Sequence, residues 1–193
     1  MNTNKKIIAI VGMCGAGKSQ VADYLVEKGF AYLRFGQLTL DICKAQGLSG
    51  EAEEKKIREG LRTEHGMAAF AILNIPKIDE LLHTSGHVVV DGLYSWSEYK
   101  VLKEKYTDDL KVLAVYAPPA MRYLRLADRT HDAQKDVAIR FRPFTLEQAK
   151  TRDYAEIENI EKGGPIVMAD FTIVNDADFD YLYKQIDTFL NNL

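Results

Sequence analysis

The sequence predicts an α/β protein, a mostly parallel β-sheet with helices on both faces, and three observations carry that expectation. Short apolar runs alternate with stretches of helical spacing along the 193 residues, the pattern of parallel strands joined by crossover helices. The first run, KIIAIV (6–11), meets a glycine-rich stretch, GMCGAGKS (12–19), that leads into a helix. HVVVDG (87–92) is a continuous apolar run ending in a carboxylate, as a strand buried on both faces reads.

Each element follows in order. After the first strand, QVADYLVEK has helical spacing and stops at Gly29, a C-cap residue. FAYLRF (30–35) is a second strand, and QLTLDICKAQG places Leu38, Ile42 and Ala45 on one helical face before Gly47. EAEEKKIREGLRTEHG (51–66) is a charged helix and MAAFAILNIPKIDELL (67–82) an apolar one, which Pro76 is expected to kink or divide. The acidic strand 87–92 precedes a helix around SEYKVLKEKY, then a strand at 111–117 and a helix opened by Pro118–Pro119. Residues 129–152 differ: six Arg/Lys outweigh three Asp/Glu, as in a mobile flap, and Thr145 with Gln148 fits a capping box that starts a helix near Leu146. ADFTIVN (169–175) is a fifth strand, and the closing helix carries Phe179, Leu182, Tyr183, Ile186 and Phe189 on one face. With no linker or repeat, residues 1–193 read as one domain with 129–145 as a lid.

Composition narrows the function. A formal net charge of −3 argues against a nucleic-acid partner. No apolar run is long enough for a membrane span, and the N-terminal run stops at Gly12 with no cleavage site, so neither membrane nor secretion is expected. Cys14 and Cys43 have no metal-ligand spacing, and His65, His83, His87 and His131 form no close pattern, which leaves a cytoplasmic protein with reduced thiols.

GMCGAGKS matches G-x-x-x-x-G-K-[ST], in the strand-to-helix setting that gives the motif its meaning. Glycines let backbone N–H groups approach phosphate oxygens, and the helix start favours an anion. Gly12, Cys14, Gly15, Ala16, Gly17, Lys18, Ser19 and Gln20 are therefore the candidate nucleotide contacts. Lys18 is expected at the β- and γ-phosphates of ATP, and the Ser19 hydroxyl at Mg²⁺. Asp91 is expected to hold that metal through water, the alternative being a cap for the next helix, and Gly92 to keep space open for a phosphate.

Arginine suits phosphate clamping through its planar fork of donors. Arg58 and Arg62 share one helical face, Arg122, Arg125 and Arg129 another, while Arg140, Arg142 and Arg152 lie in or beside the flap. Singly, each arginine reads as a solvated ion pair, such as Glu54 with Arg58. As a set, Arg129, Arg140 and Arg142 are the candidate catalytic cations alongside Lys18.

Together, GMCGAGKS, RFGQL, IREGLRTEHGMAAFA, VVVDGLYSWSEY and TRDYAEIENIEKGGPIVMADFTIVN resemble the P-loop nucleoside-monophosphate kinases and dephospho-coenzyme A kinases over nearly the whole chain. That resemblance implies a three-layer P-loop fold with a five-stranded parallel sheet of order 2-3-1-4-5 and an arginine-rich lid closing over ATP. It implies an acceptor side at Gly36, Gln37, Arg58 and Arg62, and it brings Asn175 of MADFTIVN near the nucleotide base. Two positions depart from the pattern. Related kinases carry an acid where this chain has Gln37, which cannot act as a base, and often Arg where it has Tyr94. Asp41, one turn on, is the available substitute.

The leading expectation is ATP-Mg²⁺-dependent phosphoryl transfer to a small nucleotide-like acceptor by a monomer or homodimer. The alternatives are a dephospho-coenzyme A kinase and a regulatory NTPase acting through a protein partner. Against a GTP switch, TIVNDAD has Asn175 and Asp178 but no intervening Lys, and the short chain with its flap favours a kinase over an AAA-type motor. Trp96 and Tyr99 read as core, with stacking on an acceptor base as their other use.

Overall fold

The computed structural model describes residues 5–129 and 144–193. Five parallel strands, β1 (Lys6–Val11), β2 (Ala31–Arg34), β3 (His87–Asp91), β4 (Leu110–Tyr116) and β5 (Phe171–Val174), form one sheet of order β2-β3-β1-β4-β5. The sheet order is the one the resemblance implies. β1 lies at the centre, with Ile10 level with Asp91 on β3 and Val11 level with Ala114 on β4.

Alternation along the strands divides the core. Ile7, Ala9, Val11, Val88 and Val90 face α4 (Ala69–Ser85) and α5 (Trp96–Tyr106), where Phe70, Ile78 and Leu102 meet them. Ile8, Ile10 and Val89 face α1 (Lys18–Glu27) and α9 (Phe179–Asn191), through Val21, Leu25, Leu182, Ile186 and Phe189. A sheet covered on both faces needs apolar side chains on both, which is why β1 and β3 read as unbroken apolar runs.

The remaining helices are α2 (Gln37–Ala45), α3 (Glu51–His65), α6 (Pro119–Ala127), α7 (Leu146–Ile160) and the short α8 (Gly163–Val167). α7 opens with the expected Thr145–Gln148 capping box, each side chain bonded to the other's backbone N–H. Of the two outcomes expected at Pro76, division is not the one found, because α4 runs through it as one helix. Phe70 and Ala71 before the proline and Ile78 and Leu82 after it are all buried, so packing on both sides offsets the missing backbone donor. Trp96 and Tyr99 stack at 5.0 Å and pack into the α5 side of the core.

In this topology the carboxyl ends of β1, β3, β4 and β5 open onto one edge, the general position of ligand sites in open parallel sheets.

Candidate functional site

That edge opens into a cavity of about 1550 Å³, larger than the ~300–1,000 Å³ that suits one small ligand. One wall is the loop between β1 and α1. Gly12 (φ 141) passes so close to β4 that a Cβ would stand 2.3 Å from the Val115 carbonyl oxygen. Gly17 (φ 103) is the N-cap of α1, and a Cβ there would stand 2.0 Å from Asn175 Nδ2. That Asn175 amide donates to the Ala16 carbonyl at 2.8 Å. Asn175 therefore braces the glycine loop from β5 as well as lining the cavity, a role its sequence position does not disclose.

Lys18 folds over the loop and donates to the carbonyls of Gly12 (2.9 Å) and Met13 (3.1 Å). Burial of its ammonium, then the nearby positive charge of Lys162, lowers its pKa to about 8. Ser19 and Gln20 follow on the first turn of α1 and line the same wall with Cys14, Gly15 and Gly17. Ala16 is fully buried behind it.

Asp91 closes β3 beside β1, lines the cavity, and accepts a hydrogen bond from the Tyr32 hydroxyl at 3.1 Å. It does not cap α5, whose N-terminus is held by a reciprocal Ser95–Glu98 box. The Ser19 hydroxyl and Asp91 carboxylate are hard oxygen donors that fit a mostly hydrated Mg²⁺ bound chiefly to phosphates. Among the described residues no group of three or more His, Cys, Asp or Glu is placed to hold a metal on its own.

Arg122 departs from the solvated reading given to each arginine. It is 4 % exposed and pairs with both oxygens of buried Asp153 on α7, at 3.0 and 2.6 Å. Its remaining bonds go to the carbonyls of Ala117 and Cys14, both at 3.0 Å. One side chain thus ties the glycine loop, the end of β4 and α7 together. Arg125 and Arg129, from the same helix end, line the cavity. Arg140, Arg142 and most of the expected lid 129–145 lie outside the described residues.

The opposite wall comes from β2, α2, α3 and the start of α4. Arg34, Gly36, Thr39, Arg58, Arg62 and Phe70 line it. Arg58 pairs with Glu51 (2.6 Å) and Glu54 (3.5 Å). Arg62 lies over the Phe70 ring at 5.4 Å, with its buried Nε lacking a hydrogen-bond partner. Gln37 does not line this wall; its amide donates to exposed Asp41 at 2.9 Å, so the two polar groups occupy each other outside the cavity. Gly92 is covered by Tyr94, whose ring lies 3.0 Å from where a Cβ would stand, so the tyrosine lines the space in its place.

Between the walls lies a cluster of which sequence reasoning named only Arg152. Glu156 on α7 accepts from Arg152 Nε at 2.9 Å and from Lys162 Nζ at 2.5 Å. Burial alone would raise the Glu156 carboxyl; the two cations and their hydrogen bonds hold it at about 2. Lys162 follows the end of α7, where neither spacing nor charge pattern signals an inward-facing side chain.

A family model described as an AAA domain matches residues 8–153. A UPF0200 protein of Pyrococcus abyssi is 31 % identical over 189 residues, spanning 97 % of this chain and 96 % of its own. In fold, the chain is similar to a gluconokinase from Sinorhizobium meliloti 1021 (TM-score 0.58, 14 % identity, covering 97 % of this chain and 93 % of that one). It is also similar to a shikimate kinase from Bacteroides thetaiotaomicron (TM-score 0.57, 15 % identity, 97 % and 99 %). At those identities the likeness is one of fold, in agreement with the five-stranded parallel sheet. The chain therefore belongs to the AAA domain family of P-loop proteins and is a UPF0200 protein.

Proposed function

We propose that this protein is a kinase that transfers a phosphoryl group from Mg²⁺-ATP to a small, phosphate-bearing, nucleotide-like acceptor in the cytoplasm. The observation that carries the reading is the two-walled cavity. A phosphate-binding loop faces an arginine-lined wall, with Lys18 and Asp91 lining the space they share. Phosphoryl transfer asks the protein mainly to align two substrates and neutralise charge. The glycine-loop amides and Lys18 would hold the β- and γ-phosphates, with Ser19 and water-bridged Asp91 on the metal. Mg²⁺, when bound, supplies charge neutralisation of the phosphate oxygens.

Arg62, beside an aromatic face, suits an acceptor that combines an anion with a flat ring. The Gln37–Asp41 pair supports a phosphate acceptor over a hydroxyl one: a phosphate oxygen is already nucleophilic, whereas a hydroxyl benefits from a base. Arg129, with Arg140 and Arg142, would complete the charge over ATP. The structural neighbours, a gluconokinase and a shikimate kinase, are kinases of small molecules, which fits this reaction class.

The test is ADP production from Mg²⁺-ATP with each ribo- and deoxynucleoside monophosphate and with dephospho-coenzyme A. An acceptor-free control and Lys18→Ala run alongside. Stimulation by one monophosphate, lost in Lys18→Ala, is the expected result. Stimulation by dephospho-coenzyme A alone would move the reading to that kinase. Turnover indifferent to every acceptor would favour a regulatory NTPase.

A further inference from the structure

We propose that Lys162 is a second phosphate-binding lysine, which contacts the γ-phosphate of the bound nucleoside triphosphate alongside Lys18. This rests on the ATP-binding reading above and adds a residue to it.

Lysine is rarely buried without a purpose, because its flexible stem normally carries the ammonium to water. Lys162 is 2 % exposed, yet it lines the cavity shared with Lys18 and Asp91. The chain is shaped to hold it there. Glu161, at the end of α7, takes a left-handed backbone (φ 53) unusual for a side chain of its size. The Lys162 backbone N–H then bonds back to the Glu156 carbonyl at 3.2 Å. On the inner side, the ammonium stands 4.9 Å from the centre of the Tyr94 ring.

Hydrogen bonding leaves the ammonium with spare capacity. It carries three N–H donors, and among the described residues its hydrogen-bond acceptor is Glu156 Oε2. Glu156 also serves Arg152, so one carboxylate answers two cations. Lys18 and Lys162 line the same cavity, with Asp91 and Tyr94 beside them. Two ammonium groups held near each other in a buried site repel, and an anion between them turns that repulsion into attraction to both. Lys18 belongs to the loop that takes the β- and γ-phosphates, so the anion that meets both lysines is the terminal phosphate. Glu156 acts as a positioning residue, orienting the ammonium from behind.

Affinity for Mg²⁺-ADP and for the Mg²⁺ complex of the β,γ-imido analogue of ATP separates this role from a structural one. Titration calorimetry on the full-length wild type, Lys162→Met and Lys162→Arg provides both values. Lys162→Met leaves Glu156 paired with Arg152, so no buried carboxylate is stranded; a thermal melt of each variant checks folding. The expected result for Lys162→Met is a tenfold or greater loss of analogue affinity, with ADP affinity within twofold, and Lys162→Arg recovers most of the loss. Equal weakening of both nucleotides, or of neither, would overturn the proposal while leaving the kinase reading standing. A wild type that binds neither nucleotide would overturn both.

Discussion

A lysine that titrates near pH 8 must recover its proton to hold a phosphate, so nucleotide binding is expected to draw protons from solution. The perturbation is pH alone. With a pKa of about 8 in the free protein, Lys18 is about half neutral at pH 8 and about nine-tenths neutral at pH 9. Bound phosphate oxygens favour the charged form and return the group to its ordinary range or above. Binding Mg²⁺-ADP should then take up about 0.1 proton at pH 7, about 0.5 at pH 8 and about 0.9 at pH 9. Affinity should fall about tenfold between pH 7 and 9. Titration calorimetry in buffers of different ionisation enthalpy reads the uptake directly, in a range where the phosphates of ADP are already ionised. In Lys162→Met the loss of a neighbouring positive charge raises the Lys18 pKa, and the uptake at pH 8 shrinks. An affinity flat from pH 7 to 9, with no uptake at pH 9, would refute the reasoning.

Two further predictions concern stability. Glu98 is fully buried, with Oε2 accepting from the N–H groups of Tyr94 (2.8 Å) and Ser95 (3.0 Å) and Oε1 without a partner. Burial raises its pKa to about 7 against the opposing hydrogen bonds from Ser95 and Tyr94 and the charges of Arg62 and Lys162. Between pH 4.5 and 7 the folded state keeps a proton that the unfolded chain releases, so stability falls across that window by about 3 kcal/mol. Urea unfolding of Glu98→Gln should lack that fall, and curves parallel to wild type from pH 4.5 to 8 would rule the account out. Arg122→Ala strands the Asp153 carboxylate in a buried site and should lower stability by about 3–5 kcal/mol, while Arg122→Met with Asp153→Leu regains most of it. A loss under 1 kcal/mol in the single variant would show that the pair is not buried in solution.

The sheet and the phosphate loop were legible because both are local patterns with a fixed chemical meaning. Unbroken apolar runs mark strands covered on both faces, and GMCGAGKS between strand and helix has few other uses. Long-range pairing was not legible. Spacing puts Arg122, Arg125 and Arg129 on one helical face, but only the approach of α7 gives Arg122 to Asp153 and leaves the other two on the cavity. Lys162 sits in EKGGP, which reads as a polar turn until the left-handed Glu161 sends its side chain inward. Pro76 does not divide its helix, since propensity is a weak prior against burial on both sides. The Gln37–Asp41 bond follows a familiar i,i+4 spacing, yet the sequence does not say that the pair faces away from the cavity.

The central position of β1 has a consequence during synthesis. The strand leaves the ribosome before either of its partners, β3 and β4, the nearer of which lies about 80 residues later in the chain. At translation rates of roughly 5–20 residues per second, KIIAIV waits on the order of 4–16 s with both edges unpaired. A β-branched apolar segment in that condition is open to pairing with other exposed strands. A pause that delayed the emergence of His87–Asp91 would prolong the exposure, whereas one that came once Leu110–Tyr116 had cleared the ribosome would find both edges of the strand ready to be covered.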